Sequence, residues 1–370
     1  MRVVGGVDAG GRGISVGIEA GVQGGASPES PYIDASGLTV VPGFIDIQVN
    51  GAFGFDFTED PESIWAVGER LPETGVTAFC PTIITSPPEQ LMAAQQIMGH
   101  RPDGYGGAEP IGLHVEGPFL SEQKRGTHPS HLLESSVTPH IATEHVKIVT
   151  VAPELPGALE LIATLVADDV VVSVGHSMAT ASETRAALDA GATLGTHLFN
   201  AMPPITAREP GIAGVLLTDQ RAFFGVIADG FHLEPAALRL AWNAAPDRLV
   251  LTTDAIAAAG MPDGGYTIGS IEVTVSDGEV RNQAGDLAGS AITMDRELAV
   301  FAETTGSPFG TAVKAVTLNP SEAVGRWDLG RLRPGARGDL TLLDGTMVAA
   351  TVVGGQVSFL HEPDRWMQRF

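Results

Sequence analysis

The sequence predicts an α/β protein: a (β/α)8 barrel of the TIM type with a small β-sandwich built from both chain ends. Three observations lead there. Eight apolar runs of strand length recur between residues 43 and 253, with stretches of helical pattern between several of them. Many of these runs end on a carboxylate or a histidine, at the end of the strand where a barrel keeps its active site. Finally, the two chain ends carry short strand-like patches, too few at either end to fold alone.

The candidate barrel strands are residues 43–49, 76–84, 111–116, 146–152, 170–175, 193–198, 222–228 and 248–253. Most are continuously apolar, as parallel strands covered on both faces are. Between them, 62–71 and 180–190 read as helices, and Thr180 or Ser182 can cap the second with Glu183 in its first turn. After the eighth strand, the Gly-rich segment 259–290 contains a hairpin of 271–275 and Glu279-Val280 around Ser276-Asp277-Gly278. Helices over 293–304 and 308–318 follow. The terminal patches Val3-Val4, 14–18 and 38–41, then 339–343, 348–353 and 356–358, read as short antiparallel strands. The expected division is 1–41 and 336–370 for the sandwich and 42–335 for the barrel.

A net charge of −23 disfavours a nucleic-acid partner, which needs a basic footprint. An anionic small molecule stays open if a few basic residues converge. No apolar run reaches the length of about 18 residues that a membrane span needs, and Met1 to Gly6 lacks the apolar core of a signal peptide. The single cysteine, Cys80, lies in an apolar run and reads as a core residue. With no disulfide framework, a reducing, cytoplasmic setting is expected.

Chemistry concentrates at strand ends. The third strand ends at Glu116, where Gly117 and Pro118 turn the chain. Glu116, His176 and His197 come from three different strand ends. One carboxylate and two imidazoles suit a divalent catalytic metal with a position left for water. Asp254, at the end of the eighth strand, is placed to move a proton, or else to cap the segment after it. His232, after Asp229-Gly230-Phe231, is placed to stabilise an oxyanion, or is a loop histidine. His128, in a basic loop after strand three, and Arg208, after strand six, are candidates for a phosphate or sulfate. Arg208 also has Glu209 beside it as an ion-pair partner. The remaining histidines, His100, His114, His131, His140, His145 and His361, read as structural or surface residues.

Several segments together resemble the N-acetylglucosamine-6-phosphate deacetylases of the amidohydrolase superfamily. They include Pro42-Gly43-Phe44-Ile45-Asp46, His114-Val115-Glu116-Gly117-Pro118-Phe119, Gly175-His176-Ser177 and Thr196-His197-Leu198-Phe199-Asn200-Ala201-Met202-Pro203. Arg208-Glu209-Pro210-Gly211, Ala228-Asp229-Gly230-Phe231-His232, Thr253-Asp254-Ala255 and Leu287-Ala288-Gly289-Ser290 extend the likeness over nearly the whole chain.

The resemblance implies a metallo-dependent hydrolase barrel. It also implies hydrolysis of the acetamide of N-acetyl-D-glucosamine 6-phosphate to D-glucosamine 6-phosphate and acetate, in amino-sugar catabolism and cell-wall sugar recycling. It assigns Glu116, His176 and His197 to the metal and Asp254 to proton transfer. Substrate contacts fall to Thr127, His128, Asn200, Ala201, Arg208, the turn Asp229, Gly230, Phe231 and His232, and the stretch Leu287, Ala288 and Gly289. One divalent ion per subunit is expected, zinc first, with iron, cobalt or manganese as alternatives. A second tightly bound ion is disfavoured, because Gln48 and Asn50 stand where many amidohydrolases carry His-x-His. The implied assembly is a homodimer with its phosphate pocket completed at or near the subunit interface. The alternatives are an amidohydrolase acting on another amide and a non-catalytic sugar-phosphate binder.

Overall fold

The computed structural model describes residues 1–137, 142–361 and 367–368, so His140 lies outside the described residues. Eight parallel strands form the barrel: β1 (Phe44–Val49), β2 (Val76–Ile84), β3 (Leu113–Glu116), β4 (Val146–Val151), β5 (Val171–Val174), β6 (Leu194–Gly195), β7 (Phe223–Val226) and β8 (Leu249–Leu251). Each pairs with the next in chain order. The seam between β8 and β1 is closed just past β8, by a parallel bridge of Val49 with Ala255 and by the Asp254 amide donating to the Gln48 carbonyl at 3.0 Å.

All eight strands fall where the apolar runs lie, but several stop earlier than the runs do. The run 193–198 yields a ladder over Leu194–Gly195 only, and 248–253 yields Leu249–Leu251. The reason is conformational. His176, His197 and Asp254 take φ of +47°, +30° and +47°, outside the extended region, so the chain leaves the ladder to aim these side chains inward. At the other end of β3 the strand starts at Leu113, after Gly112 at φ +129°.

The helices at Ser63–Arg70, Ala181–Asp189 and Met294–Thr305 match the sequence expectation. Thr180, not Ser182, caps the second. Its Oγ1 accepts the Glu183 amide at 3.2 Å, while the Glu183 carboxylate accepts the Thr180 amide at 2.8 Å. The single helix expected over 308–318 is instead broken into Phe309–Ala312, a tight turn Val313–Val316 and Leu318–Ala323. Thr317, at φ −131° and ψ −81°, interrupts the helical backbone there. The hairpin after β8 is a three-stranded antiparallel sheet, Gly264–Ile268, Ile271–Ser276 and Glu279–Asn282. Its first strand opens with two glycines, which hide it from a propensity reading.

Both chain ends share one further sheet, in the order 356–360, 347–353, 340–344, 39–42, 2–7, 13–19 and 22–23. Residues 2–7 also pair with 32–34, which pairs with 367–368. The sheet is mixed rather than antiparallel throughout, since Arg2–Val7 runs parallel to both Tyr32–Asp34 and Thr39–Pro42. Val3, Ile18, Ile33, Val40, Leu340, Leu342 and Val352 bury their side chains in one core within it. A separate, larger core lies around the barrel strands and their helices. Among the described residues, no helix is long and apolar enough to cross a membrane.

Candidate active site

A cavity of about 440 Å³ opens at the C-terminal ends of the barrel strands. Glu116 ends β3 and enters it there. His176 and His197 enter from just past β5 and β6, and Asp254 from just past β8. All four are buried. Glu116 Oε1 lies 3.3 Å from His176 Nε2 and 3.4 Å from His197 Nε2, and the two Nε2 atoms lie 2.9 Å apart. A tetrahedral ion with bonds of about 2.05 Å holds its ligands about 3.3 Å apart. The three donor atoms therefore already stand close to the spacing such an ion needs, and the donor set fits a divalent metal. His176 is pre-set for this, because its Nδ1 lies 2.8 Å from the Lys124 carbonyl, which can only accept. That bond puts the ring proton on Nδ1 and leaves the Nε2 lone pair facing Glu116 and His197.

Holding non-glycine residues at positive φ costs about 1–3 kcal/mol each. The surrounding hydrogen bonds fix them in place. Glu154, three residues beyond β4, accepts from Ser177 Oγ at 2.5 Å and from the Met178 amide at 2.6 Å. It thereby clamps the turn that follows His176. Its position just past a strand end made it legible in the same way as the other site residues, yet sequence reasoning passed it over.

Two buried carboxylates share this pocket with their pKa values pushed apart. Burial opposes ionisation of Glu116, but the two imidazoles beside it, His176 and His197, outweigh burial and hold it well below the ordinary range. Burial and the nearby Glu116 charge push Asp254 up to about 6. A pair split in this way supplies one permanently charged ligand and one group able to take up and return a proton. Gln48 and Asn50 serve these carboxylates as donors. Asn50 Nδ2 lies 2.7 Å from Asp254 Oδ1, and Gln48 Nε2 lies 3.1 Å from Asp254 Oδ1 and 3.3 Å from Glu116 Oε1. Amide hydrogens thus point to where a second cation would sit.

His232 lines the cavity, and its Nδ1 lies 2.7 Å from Asp229 Oδ2. Burial would raise Asp229, but the His232 hydrogen bond outweighs it and holds the carboxyl below its usual range. Asp229 Oδ1 also accepts the amides of Phe231 and His232, both at 2.9 Å. Asp229 is therefore the support of His232 and not a cavity wall.

Of the other expected contact residues, Thr127, His128, Asn200, Ala201, Leu287 and Gly289 line the cavity. Gly230, Phe231, Ala288 and Arg208 do not line it. Phe231 is 42% exposed, and Ala288 is buried in a core behind the wall. Arg208 is exposed, and among the described residues it has no hydrogen-bond or ion-pair partner. Glu209 turns from it to accept the amides of Ala181 and Gly211, at 2.7 and 3.0 Å.

His128 sits in the basic loop after β3 as expected, but its side chain turns inward. The ring is buried against the cluster of Glu116, His176 and His197, with Nε2 3.9 Å from Glu116 Oε2. Burial and the neighbouring His176 push it down to about 3, so it carries no charge for an anion. The cations that do line the cavity are Lys124 and Arg125. His114, read as structural, is buried between the Ile47 carbonyl and Thr150 Oγ1, at 3.1 and 2.7 Å.

Residues 39–359 match the amidohydrolase family. The chain belongs to that family. Over 345 residues the amidohydrolase is 42% identical to the N-acetylglucosamine-6-phosphate deacetylase of Rattus norvegicus, covering 88% of this chain and 84% of the relative. It is 38% identical to an N-acetylgalactosamine-6-phosphate deacetylase of Escherichia coli O157:H7, covering 86% of this chain and 87% of that one. Among solved structures it resembles the N-acetyl-D-glucosamine-6-phosphate deacetylase of Mycobacterium smegmatis, crystallised with N-acetyl-D-glucosamine 6-phosphate. That match has a TM-score of 0.85 at 34% identity, over 97% of this chain and 99% of that one.

Proposed function

We propose that this amidohydrolase cleaves the acetamide of N-acetyl-D-glucosamine 6-phosphate to give D-glucosamine 6-phosphate and acetate. The observation that carries the reading is the cluster of Glu116, His176 and His197 with Asp254 beside it on the cavity floor. Glu116, His176 and His197 would hold a divalent ion, which would supply a Lewis acid for the acetamide carbonyl and for the attacking water. Zinc suits a Glu-His-His set, and iron, cobalt and manganese share it. One ion per subunit is proposed, since Gln48 and Asn50 turn amide hydrogens toward the alternative position.

Asp254 takes the proton of the attacking water and passes it to the departing nitrogen, which is too basic to leave as an anion. His232, braced through Nδ1 by Asp229, would donate from Nε2 to the developing oxyanion when the ring carries both its protons. Thr127, Asn200, Ala201, Leu287 and Gly289 shape the sugar site. Binding of the distant phosphate then positions the bond to be cut. Arg208, exposed and without a partner among the described residues, supports a homodimer whose phosphate pocket is completed at or near the subunit interface. We propose further that 1–41 and 336–370 act as one small unit carrying the barrel of 42–335, and that the enzyme is cytoplasmic.

The relative named for the galactosamine substrate makes the galacto epimer a second candidate. Acetate release from both 6-phosphates and from unphosphorylated N-acetylglucosamine, with and without chelator, tests the reading. Fast release from the gluco 6-phosphate that stops on chelation is expected. Release from the galacto epimer alone would move the assignment to that sugar, and equal rates with and without phosphate would remove the phosphate site. No release from a metal-loaded protein would overturn the deacetylase reading.

A further inference from the structure

We propose that Thr85 is a positioning residue for the reaction. It holds the buried His128 ring in the tautomer that carries its proton on Nε2, so that His128 donates a hydrogen bond to a substrate oxygen beside the acetamide. The role in turnover rests on the deacetylase reading above, whereas the tautomer does not.

Two groups around the His128 ring have a fixed polarity. Thr85 follows the last residue of β2, Ile84, so its amide is released from the strand ladder. That amide points at His128 Nδ1 at 3.4 Å, and an amide can only donate. On the far side of the ring, Nε2 faces Glu116 Oε2 at 3.9 Å, and an ionised carboxylate can only accept. The amide calls for a lone pair on Nδ1, and the carboxylate charge, though too far away to bond, favours the proton on Nε2.

The Thr85 hydroxyl is the one neighbour free to choose. It lies 2.8 Å from His128 Nδ1 and 3.3 Å from the Glu116 carbonyl. Donating to Nδ1 makes the shorter bond and agrees with the two fixed groups. The approach is built in, because a Cβ at Gly117 would lie only 2.1 Å from Thr85 Oγ1. Only a glycine at 117 leaves the hydroxyl room to stand where it does.

The neighbouring rings are held the opposite way. His176 Nδ1 faces the Lys124 carbonyl and His232 Nδ1 faces the Asp229 carboxylate, both acceptors. Neutral rings so supported turn a lone pair toward the cavity. His128 differs from these two in having donors behind it, so it is the ring that offers a proton while staying uncharged. The 3.9 Å between Nε2 and Glu116 is too long for a hydrogen bond, so that proton is not consumed within the protein. A sugar oxygen fits such a neutral donor next to a carboxylate, whereas a phosphate placed there would meet the Glu116 charge.

The test is long-range 1H–15N spectroscopy of histidine-labelled, zinc-loaded protein, with the His128 signals identified by their loss in His128→Gln. The wild type should show His128 protonated on Nε2. Thr85→Val keeps the shape and removes the hydroxyl. It should mix the tautomers and lower kcat/KM by about tenfold or more, and Thr85→Ser should restore both. A wild-type ring protonated on Nδ1 would overturn the proposal. So would Thr85→Val with the spectrum and rate of Thr85→Ser. If the wild type released no acetate from any sugar, the deacetylase reading would fall while the spectrum still decided the tautomer.

Discussion

The cavity rim and the sheet built from the chain ends follow opposite rules. At the rim, His176, Phe199, Ala201, His197 and Asp254 all take positive φ without being glycine. In the described parts of 1–41 and 336–361, Ala20 is the one non-glycine residue that does so. The rim buries Glu116 and Asp254 together, but the terminal sheet buries a single acid, Asp339, among its described residues. Its other buried strand positions are uncharged, mostly valine, leucine, isoleucine and alanine, with Gln23, Thr341 and Thr351 as polar exceptions. The difference shows where stability is made and where it is spent. The sheet packs as elementary physics prefers, and the rim gives up backbone and charge energy to hold chemistry in place.

Removing the chemistry while keeping the shape tests that contrast hardest. Asp254→Asn should lower kcat by about 10²–10⁴-fold, with metal content unchanged by elemental analysis and a melting temperature no lower than the wild type's. The stability expectation follows from burial, which disfavours the Asp254 charge that asparagine lacks. A variant that kept most of its activity would refute proton transfer through this residue. The converse change lies in the sheet. Leu342 is fully buried in the terminal core. Leu342→Ala should cost about 2–5 kcal/mol in denaturant unfolding, while kcat per folded molecule stays within about twofold. A large fall in kcat would mean that the sheet holds the rim in shape.

The same contrast explains what could be read from the sequence. Barrel strands were legible because apolar runs such as 146–152 and 222–228 have little else to become. The cluster of Glu116, His176, His197 and Asp254 was legible because a polar residue ending such a run conflicts with packing and so invites a chemical reading. Strand ends were less so, since the positive φ at His176 and His197 that shortens β5 and β6 leaves no mark in composition. Hydrogen-bond polarity was not legible at all. Nothing in Gln48 or Asn50 says that their amides donate to Asp254, nor in His128 that its ring turns from the basic loop toward Glu116. Those facts depend on which groups meet across the barrel. The strand Gly264–Ile268 was hidden by its glycines, and the isolation of Arg208 from its own cavity could be seen only in three dimensions.

Asp339 offers the finest test, because it carries a trait of the rim into the sheet. Its carboxylate lies 3.2 Å from Arg337 and accepts the Gly354 amide at 2.7 Å, contacts that favour the charge. Burial prevails over both and pushes it up to about 6, with Oδ2 left without a hydrogen bond. An acid raised in the folded state from an unfolded value of about 3.9 binds its proton more tightly when folded. Its contribution to stability is therefore full below pH about 4 and is lost as pH rises through about 6. Asp339→Asn should remove that part of the pH dependence, so the difference between variant and wild type shifts by about 2 kcal/mol in the variant's favour between pH 4 and pH 8. Urea unfolding at the two pH values measures it. If the variant instead lost ground as pH rose, the Arg337 ion pair would outweigh burial, and the sheet would hold its one buried acid as a net support.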